Sequence, residues 1–385
     1  MAYPSGKIKK FSSKMYREVF NYFFRLGCLG FGGPLAVIST IQEDLIEKRK
    51  WMDREDFNGV FALIKAMPGP VAFQTAVYMG RHRAGFWGGF LAAFGLVVPA
   101  FFLMILFSIF FKSISHLTYT SSIILGMQVS ALGVILGSLK NLIKNYAKDF
   151  FFWPLIIISA AINFFNPSLE AVVIIFFGIM IVVLKKYQRK SFNIKISAVA
   201  PFLFFTDSLR DLFLVCFKAG ALVFGTGLAI VPMLQHDVVE KYKWLSQSEF
   251  LNALAFGQMT PGPVVITVTY IGHKIAGMSG AIIATIAIFS AAFFHMSTWF
   301  PLVIKHLRGK VWIGDFVFGA IAAVVGPIII SVIKMGMVIH FNYFLIIMAL
   351  FIFVLTLSNK MPLWILIPLG GILNLVYYIC KGGVG

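Results

Sequence analysis

Apolar stretches long enough to cross a bilayer recur along the whole chain, and they restrict its fold more than any other feature. They run over about 18–41, 57–79, 84–111, 119–140, 150–164 and 168–185 in the first half. In the second half they run over about 209–234, 250–272, 276–304, 311–335, 341–356 and 362–380. A helix needs roughly 20 apolar residues to span the hydrocarbon core. Charged residues make up only 12% of the sequence, too few to cover a water-facing surface. The expected fold is an all-α polytopic membrane protein with about 12 (11–13) membrane segments, some of them broken. The segments at 150–164 and 168–185 are short and could form a thin hairpin instead of two full spans.

The chain carries 33 Lys and Arg against 15 Asp and Glu, a net charge of +18. In a soluble protein that balance would raise nucleic acid as a partner. Here the basic residues are spread over short loops, the pattern that holds loops on the cytoplasmic side of a membrane, and no nucleic acid is expected. Cys28, Cys216 and Cys380 have no metal-ligand spacing. No nucleotide motif, metal constellation or catalytic triad is visible, so neither a cofactor nor an enzymatic activity is expected. Residues 1–17 lack the apolar core and cleavage site of a signal peptide and read as a cytoplasmic arm.

One segment occurs twice. An offset of 193 residues superimposes Phe24 on Phe217, Gly27 on Gly220 and Phe31-Gly32 on Phe224-Gly225. It also brings Asp44 onto Asp237, Trp51 onto Trp244 and Pro68-Gly69-Pro70 onto Pro261-Gly262-Pro263. The chain therefore divides into a first repeat at 18–190, a linker at 191–208 and a second repeat at 209–385.

Each copy holds two helix-breaking clusters. Within Phe57–Met79, Pro68 removes a helical hydrogen bond, Gly69 lets the backbone turn, and Pro70 suits the first turn of a new helix. The expected result is one span divided into two half-helices, each about 15 Å long. A helix that starts inside the membrane directs unpaired N–H groups and partial positive charge inward, which suits an oxyanion. The other cluster is Gly30-Phe31-Gly32-Gly33-Pro34, matched by Phe224-Gly225-Thr226-Gly227. Proline kinks and close packing of small residues explain either cluster alone. Their recurrence at equivalent positions points to a site.

The charged or titratable residues inside apolar segments are Arg25, Lys65, Lys218, Lys334 and His295, and no acidic residue lies in the middle of a span. A cation pump would usually need such a carboxylate, so basic groups beside helix N-termini fit an anion better. Lys65, three residues before Pro68, is the leading contact, with Gln258 and Thr260 in the equivalent region of the second repeat. Gln74, Thr75, Thr267 and Thr269 follow the two Pro-Gly-Pro turns and could donate to oxygens or join helices. Arg25, Lys218 and Lys334 could instead snorkel to an interface, and His295 reads as a packing residue. The candidate substrate residues are Gly32, Gly33, Lys65, Pro68, Gly69, Pro70 and Gln74, with Gly225, Thr226, Gly227, Gln258, Thr260, Pro261, Gly262 and Pro263. Arg25, Lys218, Asp44 and Asp237 are candidates for a charge or gating role.

Loop charge bears on orientation. With the N-terminus inside, the first repeat places Arg81 to Arg83, Lys140 to Lys148 and Lys185 to Lys190 inside. The basic loop Lys305 to Lys310 joins them only if the second repeat is inverted relative to the first. Inverted repeats are common in secondary transporters. Inversion needs an odd number of crossings before the second repeat, and the apolar run at 196–206 could supply one.

The FGGP stretch, the Gln-x-Asp-x-x-Glu-Lys helix end followed by Trp, and the Ala-x-Pro-Gly-Pro stretch resemble the chromate ion transporter (CHR) family in its long bidomain form. The resemblance covers about 18–380 and carries over Phe31, Gly32, Gly33, Pro34, Pro68, Gly69 and Pro70, with Phe224, Gly225, Gly227, Pro261, Gly262 and Pro263. The second repeat departs from the pattern, reading FGTG, so unequal contributions are expected from the halves. The resemblance implies a bacterial or archaeal inner-membrane protein that exports chromate, driven by a membrane potential or ion gradient. It also implies oppositely oriented halves. Chromate and sulfate share shape and charge, so a permease for sulfate or another small anion is the alternative; a non-transporting scaffold would need neither the duplicated breaks nor Lys65. The expected partners are such an oxyanion and the lipid bilayer, with a homodimer left open.

Overall fold

The computed structural model describes residues 12–114, 118–187, 207–224, 227–307 and 309–382. Among the described residues every regular element is helical. The first repeat holds α1 (Ser13–Leu29) and α2 (Gly33–Ile41), the latter continued by a π-helical turn at Gln42–Lys48. It goes on with α3 (Arg54–Ala66), α4 (Val71–Ile114), α5 (Thr118–Ile143), α6 (Phe152–Phe165) and α7 (Glu170–Tyr187). The second repeat has α8 (Asp207–Ala221), α9 (Ile230–Leu234) with its π-helical turn Gln235–Lys241, and α10 (Gln247–Met259). It ends with α11 (Thr267–Ser297), α12 (Phe300–Leu307), α13 (Val311–Met337), α14 (Tyr343–Ser358) and α15 (Leu363–Cys380).

The Pro-Gly-Pro segments do not run straight through. A continuous helix would place Trp51 and His82 about 46 Å apart at 1.5 Å per residue. Instead His82 Nε2 lies 3.0 Å from the Trp51 carbonyl, and the Arg83 guanidinium sits over the Trp51 ring. Helix α3 and residues 71–83 of α4 are therefore the two arms of a re-entrant hairpin, with Pro68-Gly69-Pro70 at its tip. The second repeat does the same, since Lys274 reaches Glu249 at 3.2 Å. The first segment of each repeat also doubles back. Tyr22 packs against Trp51 and its hydroxyl lies 3.5 Å from Asp44, while Lys218 forms an ion pair with Asp237. The expected spans at 18–41, 57–79, 209–234 and 250–272 are thus membrane segments that enter and leave by the same face. Proline and glycine specify a break; which way the chain leaves it is set by the contacts of the far ends.

Beyond each hairpin a sharp turn at Ala84-Gly85, or Ala276-Gly277, sends α4 and α11 back across the protein. Among the described residues, six helical stretches are long and apolar enough to cross a membrane: Val71–Phe111, Tyr119–Ile143, Pro167–Lys185, Val264–Leu302, Val311–Met337 and Leu363–Cys380. Phe152–Phe165 and Tyr343–Ser358 are shorter apolar helices, each lying against a crossing helix of the other repeat.

The two repeats are antiparallel. The first hairpin ends at Arg81, whose guanidinium donates to the carbonyl of Ser297 at the far end of α11. The second hairpin ends at His273, 2.8 Å from Ser108 near the far end of α4. Each hairpin base thus meets the exit of the other repeat's crossing helix, which places the two bases on opposite faces. One face gathers Arg49, Arg83, the ends of α5 and α7, and Lys310 at the start of α13: Arg49 and Arg83 share Glu18, and Lys185 bridges Asp149 and Asp315. We call it the basic face. Tyr187 lies at this face and Asp207 at the opposite one; the 196–206 run offered as an extra crossing is outside the described residues.

The repeats clasp each other. Helices α6 and α7 pack on α13, and α14 and α15 pack on α5. Close approach of small residues builds these seams, as at Gly126 against Gly370 and its equivalent, Gly319 against Phe177. Ser159 Oγ donates to the Ala322 carbonyl, and Asn374 Nδ2 to that of Ser122.

Candidate functional site

Four hairpin tips meet between the repeats. The Gly69 amide donates to the Val223 carbonyl at 2.6 Å, and the Gly262 amide donates to the Gly30 carbonyl at 3.0 Å. These two bonds are equivalents, because the offset of 193 carries Gly30 onto Val223 and Gly69 onto Gly262. Each Pro-Gly-Pro tip is therefore held by the glycine-rich tip of the other repeat. Only glycine fits at the first of them: Gly69 has φ +132°, and a Cβ there would lie 2.3 Å from Gln74 Nε2.

A cleft of about 70 Å³ lies beside the tips, toward the basic face. Gly32, Gly33 and Pro34 line it at the start of α2, and Gln258, Thr260, Gly262 and Val264 line it from the second Pro-Gly-Pro hairpin. Ser138 and Asn141 of α5, Leu35, Leu228 and Leu363 complete the wall. None of these residues is charged. Gln258 is 7% exposed, and neither its amide nitrogen nor its amide oxygen has a partner. Leaving such groups buried and unmet costs about 1–3 kcal/mol each, which a polar ligand in the cleft would recover. The start of α2 adds amides and partial positive charge to the same wall.

The other sequence candidates are placed as follows. Pro68, Gly69 and Pro70 form one tip, and Pro261 and Pro263 flank the other. Gln74 is fully buried and donates from Nε2 to the Pro68 carbonyl at 2.6 Å, so it braces the tip; its Oε1 has no partner. Thr75, Thr267 and Thr260 donate to carbonyls of their own turns, and Thr269 bonds Thr285. Gly227 is buried with φ +83°, whereas Gly225 and Thr226 lie outside the described residues. Lys65 is exposed, with its ammonium 4.3 Å from the Phe61 ring centroid, and it does not line the cleft; the equivalent Gln258 does. Among the gating candidates, Lys218 and Asp237 are brought together. Arg25 is exposed, and Asp44 engages Lys48 and Tyr22 instead. Lys334 pairs with Glu240 at 2.8 Å, and His295 accepts from Trp299.

Sequence reasoning missed Ser138 and Asn141, which stand one helical turn apart near the end of α5. It also missed Glu170, which follows Pro167 closely enough to read as a loop residue yet is buried.

Comparison with known proteins settles the ancestry. The family model for the chromate transporter matches residues 17–183 and 210–375, one copy on each repeat. The chain belongs to the chromate transporter family. Its relatives include a probable chromate transport protein of Synechococcus elongatus, 31% identical over 332 residues, 83% of this chain and 84% of the relative. A chromate transport protein of Cupriavidus metallidurans is 31% identical over 344 residues, 86% of this chain and 85% of the relative. An uncharacterised transporter of Bacillus subtilis is 28% identical over 170 residues, covering 42% of this chain but 86% of its own length. No solved structure matches. As a chromate transporter family member with two matched copies and long apolar helices, the protein is a multi-pass membrane protein.

Proposed function

We propose that this protein exports chromate, a tetrahedral divalent oxyanion, by alternating access, with the four tips at the centre and the basic face in the cytoplasm. The carrying observation is Gln258, buried in the cleft wall with both amide atoms unmet. Around it stand neutral donors and the amides that open α2, a set that accepts an oxyanion without fixing a counter-ion. Loop charge supports the orientation, because the basic loops of both repeats share one face and such loops stay in the cytoplasm. On this reading the cleft receives its anion from the cytoplasm.

Flux of radiolabelled chromate and sulfate into proteoliposomes, under an imposed potential or pH gradient, tests the reading. Chromate flux that depends on the protein is expected. Flux of sulfate alone would make the protein a sulfate permease, and no flux of either anion would overturn transport by this cleft.

A further inference from the structure

In the half away from the basic face, the residues that correspond to Leu35 and Leu363 of the cleft wall are buried. The offset of 193 carries Leu363 of the cleft wall onto Glu170, and Asn141 onto Lys334. Leu35 of α2 is 53% exposed, while its equivalent Leu228 is 4% exposed. Glu170, in the first turn of α7, is also 4% exposed. Neither of its carboxyl oxygens has a partner.

The charges that act on it are Lys218 of α8 and Asp237 of the turn after α9, and these two already form an ion pair. Around them Ser168 bonds His236, His236 bonds Glu240, and Glu240 holds Lys334 of α13. The other acid on α13, Asp315, is engaged by Lys185 at the basic face, and α6 has no titratable residue. Glu170 and Asp237 are both buried, and the Lys218 ammonium that acts on both is taken by Asp237. A carboxylate shut away from water without a partner is unfavourable as an ion and acceptable as a neutral acid. Among the described residues no group of three His, Cys, Asp or Glu could hold a metal ion. A single carboxyl with two unmet oxygens takes a proton.

We propose that Glu170 is a proton-binding site that controls this half of the protein: it holds a proton while the half is sealed and releases it to water when the half opens. The inference rests on the alternating-access reading for what opening accomplishes, not for the chemistry. Ionised Glu170 also competes with Asp237 for Lys218, which loosens the pairing that holds α8 to the segment after α9. Acid on this face keeps it sealed, and alkali favours opening.

Hydrogen–deuterium exchange of the full chain in lipid nanodiscs, corrected for the intrinsic pH dependence of exchange, tests this over residues 230–241. In the wild type, corrected exchange should accelerate as pH rises, with no matching change over residues 33–48. In Glu170→Gln the acceleration should be lost. In Asp237→Asn, which removes the pairing with Lys218, corrected exchange should already be fast in acid. No acceleration in the wild type, an unchanged response in Glu170→Gln, or exchange that stays slow in acid in Asp237→Asn would each overturn the proposal. Because no substrate is present, the result is independent of flux: a protein that shows this response but moves no chromate keeps the proton site and loses the transport reading.

Discussion

Replacing Gly69 with alanine tests whether the tips are as tightly built as the geometry requires. Holding a non-glycine residue at φ +132° costs about 1–3 kcal/mol. The new methyl would also lie 2.3 Å from Gln74 Nε2 and 2.9 Å from Ala292 Cβ. Overpacking of that kind costs about 1–3 kcal/mol. Displacing Gln74 loses its bond to the Pro68 carbonyl, about 1 kcal/mol more. Gly69→Ala should therefore cost about 3–7 kcal/mol, combining those ranges. At Gly262 the nearest atom to a new Cβ is Leu96 O at 3.6 Å, so Gly262→Ala meets only the backbone term, about 1–3 kcal/mol. Thermal unfolding of the two variants in the same lipid should rank Gly69→Ala clearly below Gly262→Ala. A double-mutant cycle sharpens the point. Removing the Gln74 side chain makes room for the methyl, so Gly69→Ala with Gln74→Ala should lose less than the two singles together. Equal stability of Gly69→Ala and Gly262→Ala, or strict additivity in the cycle, would refute the steric account.

Gln258→Leu removes two unmet polar groups at nearly constant volume, so it should leave thermal stability unchanged or raised while chromate flux in proteoliposomes falls at least about tenfold, the loss of one good hydrogen bond to a charged group. If the halves exchange roles as proposed, Lys65 takes the place of Gln258, so Lys65→Ala should abolish flux and leave the protein folded; wild-type flux would remove Lys65 from the site. At Glu249, burial pushes the carboxyl up, but the Ser246 amide and the Lys274 ammonium hold it on balance below the ordinary value of 4.5. Its contribution to stability is therefore present above that value and lost as pH falls through the lowered one, and the unfolding midpoints of wild type and Glu249→Gln should converge in acid.

The breaks themselves were legible in the sequence, because Pro68, Pro70, Gly30 and Gly33 act within a few residues of where they stand. Inversion was legible too, through the single basic loop at Lys305–Lys310. The direction of the chain after each break was not. Pro-Gly-Pro is equally compatible with a kinked span and with a hairpin tip; the difference lies in a contact between Trp51 and His82, 31 residues apart. The contrast between Lys65 and Gln258 was visible as a substitution, but sequence favoured the charged member. The structure puts the neutral one in the cleft. Glu170 was hidden because a carboxylate near a helix start reads as solvated until the other repeat is packed over it.

That asymmetry can be located. The two inter-repeat bonds at the tips are present in equivalent form in both halves, and so are the glycine seams between α5 and α15 and between α13 and α7. These contacts do not distinguish the open half from the filled one. The contacts that do lie on α2 and α9 and the turns that follow them: Gln235 and Asp237 are buried, whereas Gln42 and Asp44 are partly exposed. Under the proposed alternating access, exchange of the two states would move α2 and α9 about tips that stay joined, with the long crossing helices as the fixed frame. In that scheme Gly69 and Gly262 act as pivots, the bond each makes to the other repeat keeps the two movements coupled, and Lys218–Asp237 is the contact that must break first for the filled half to open.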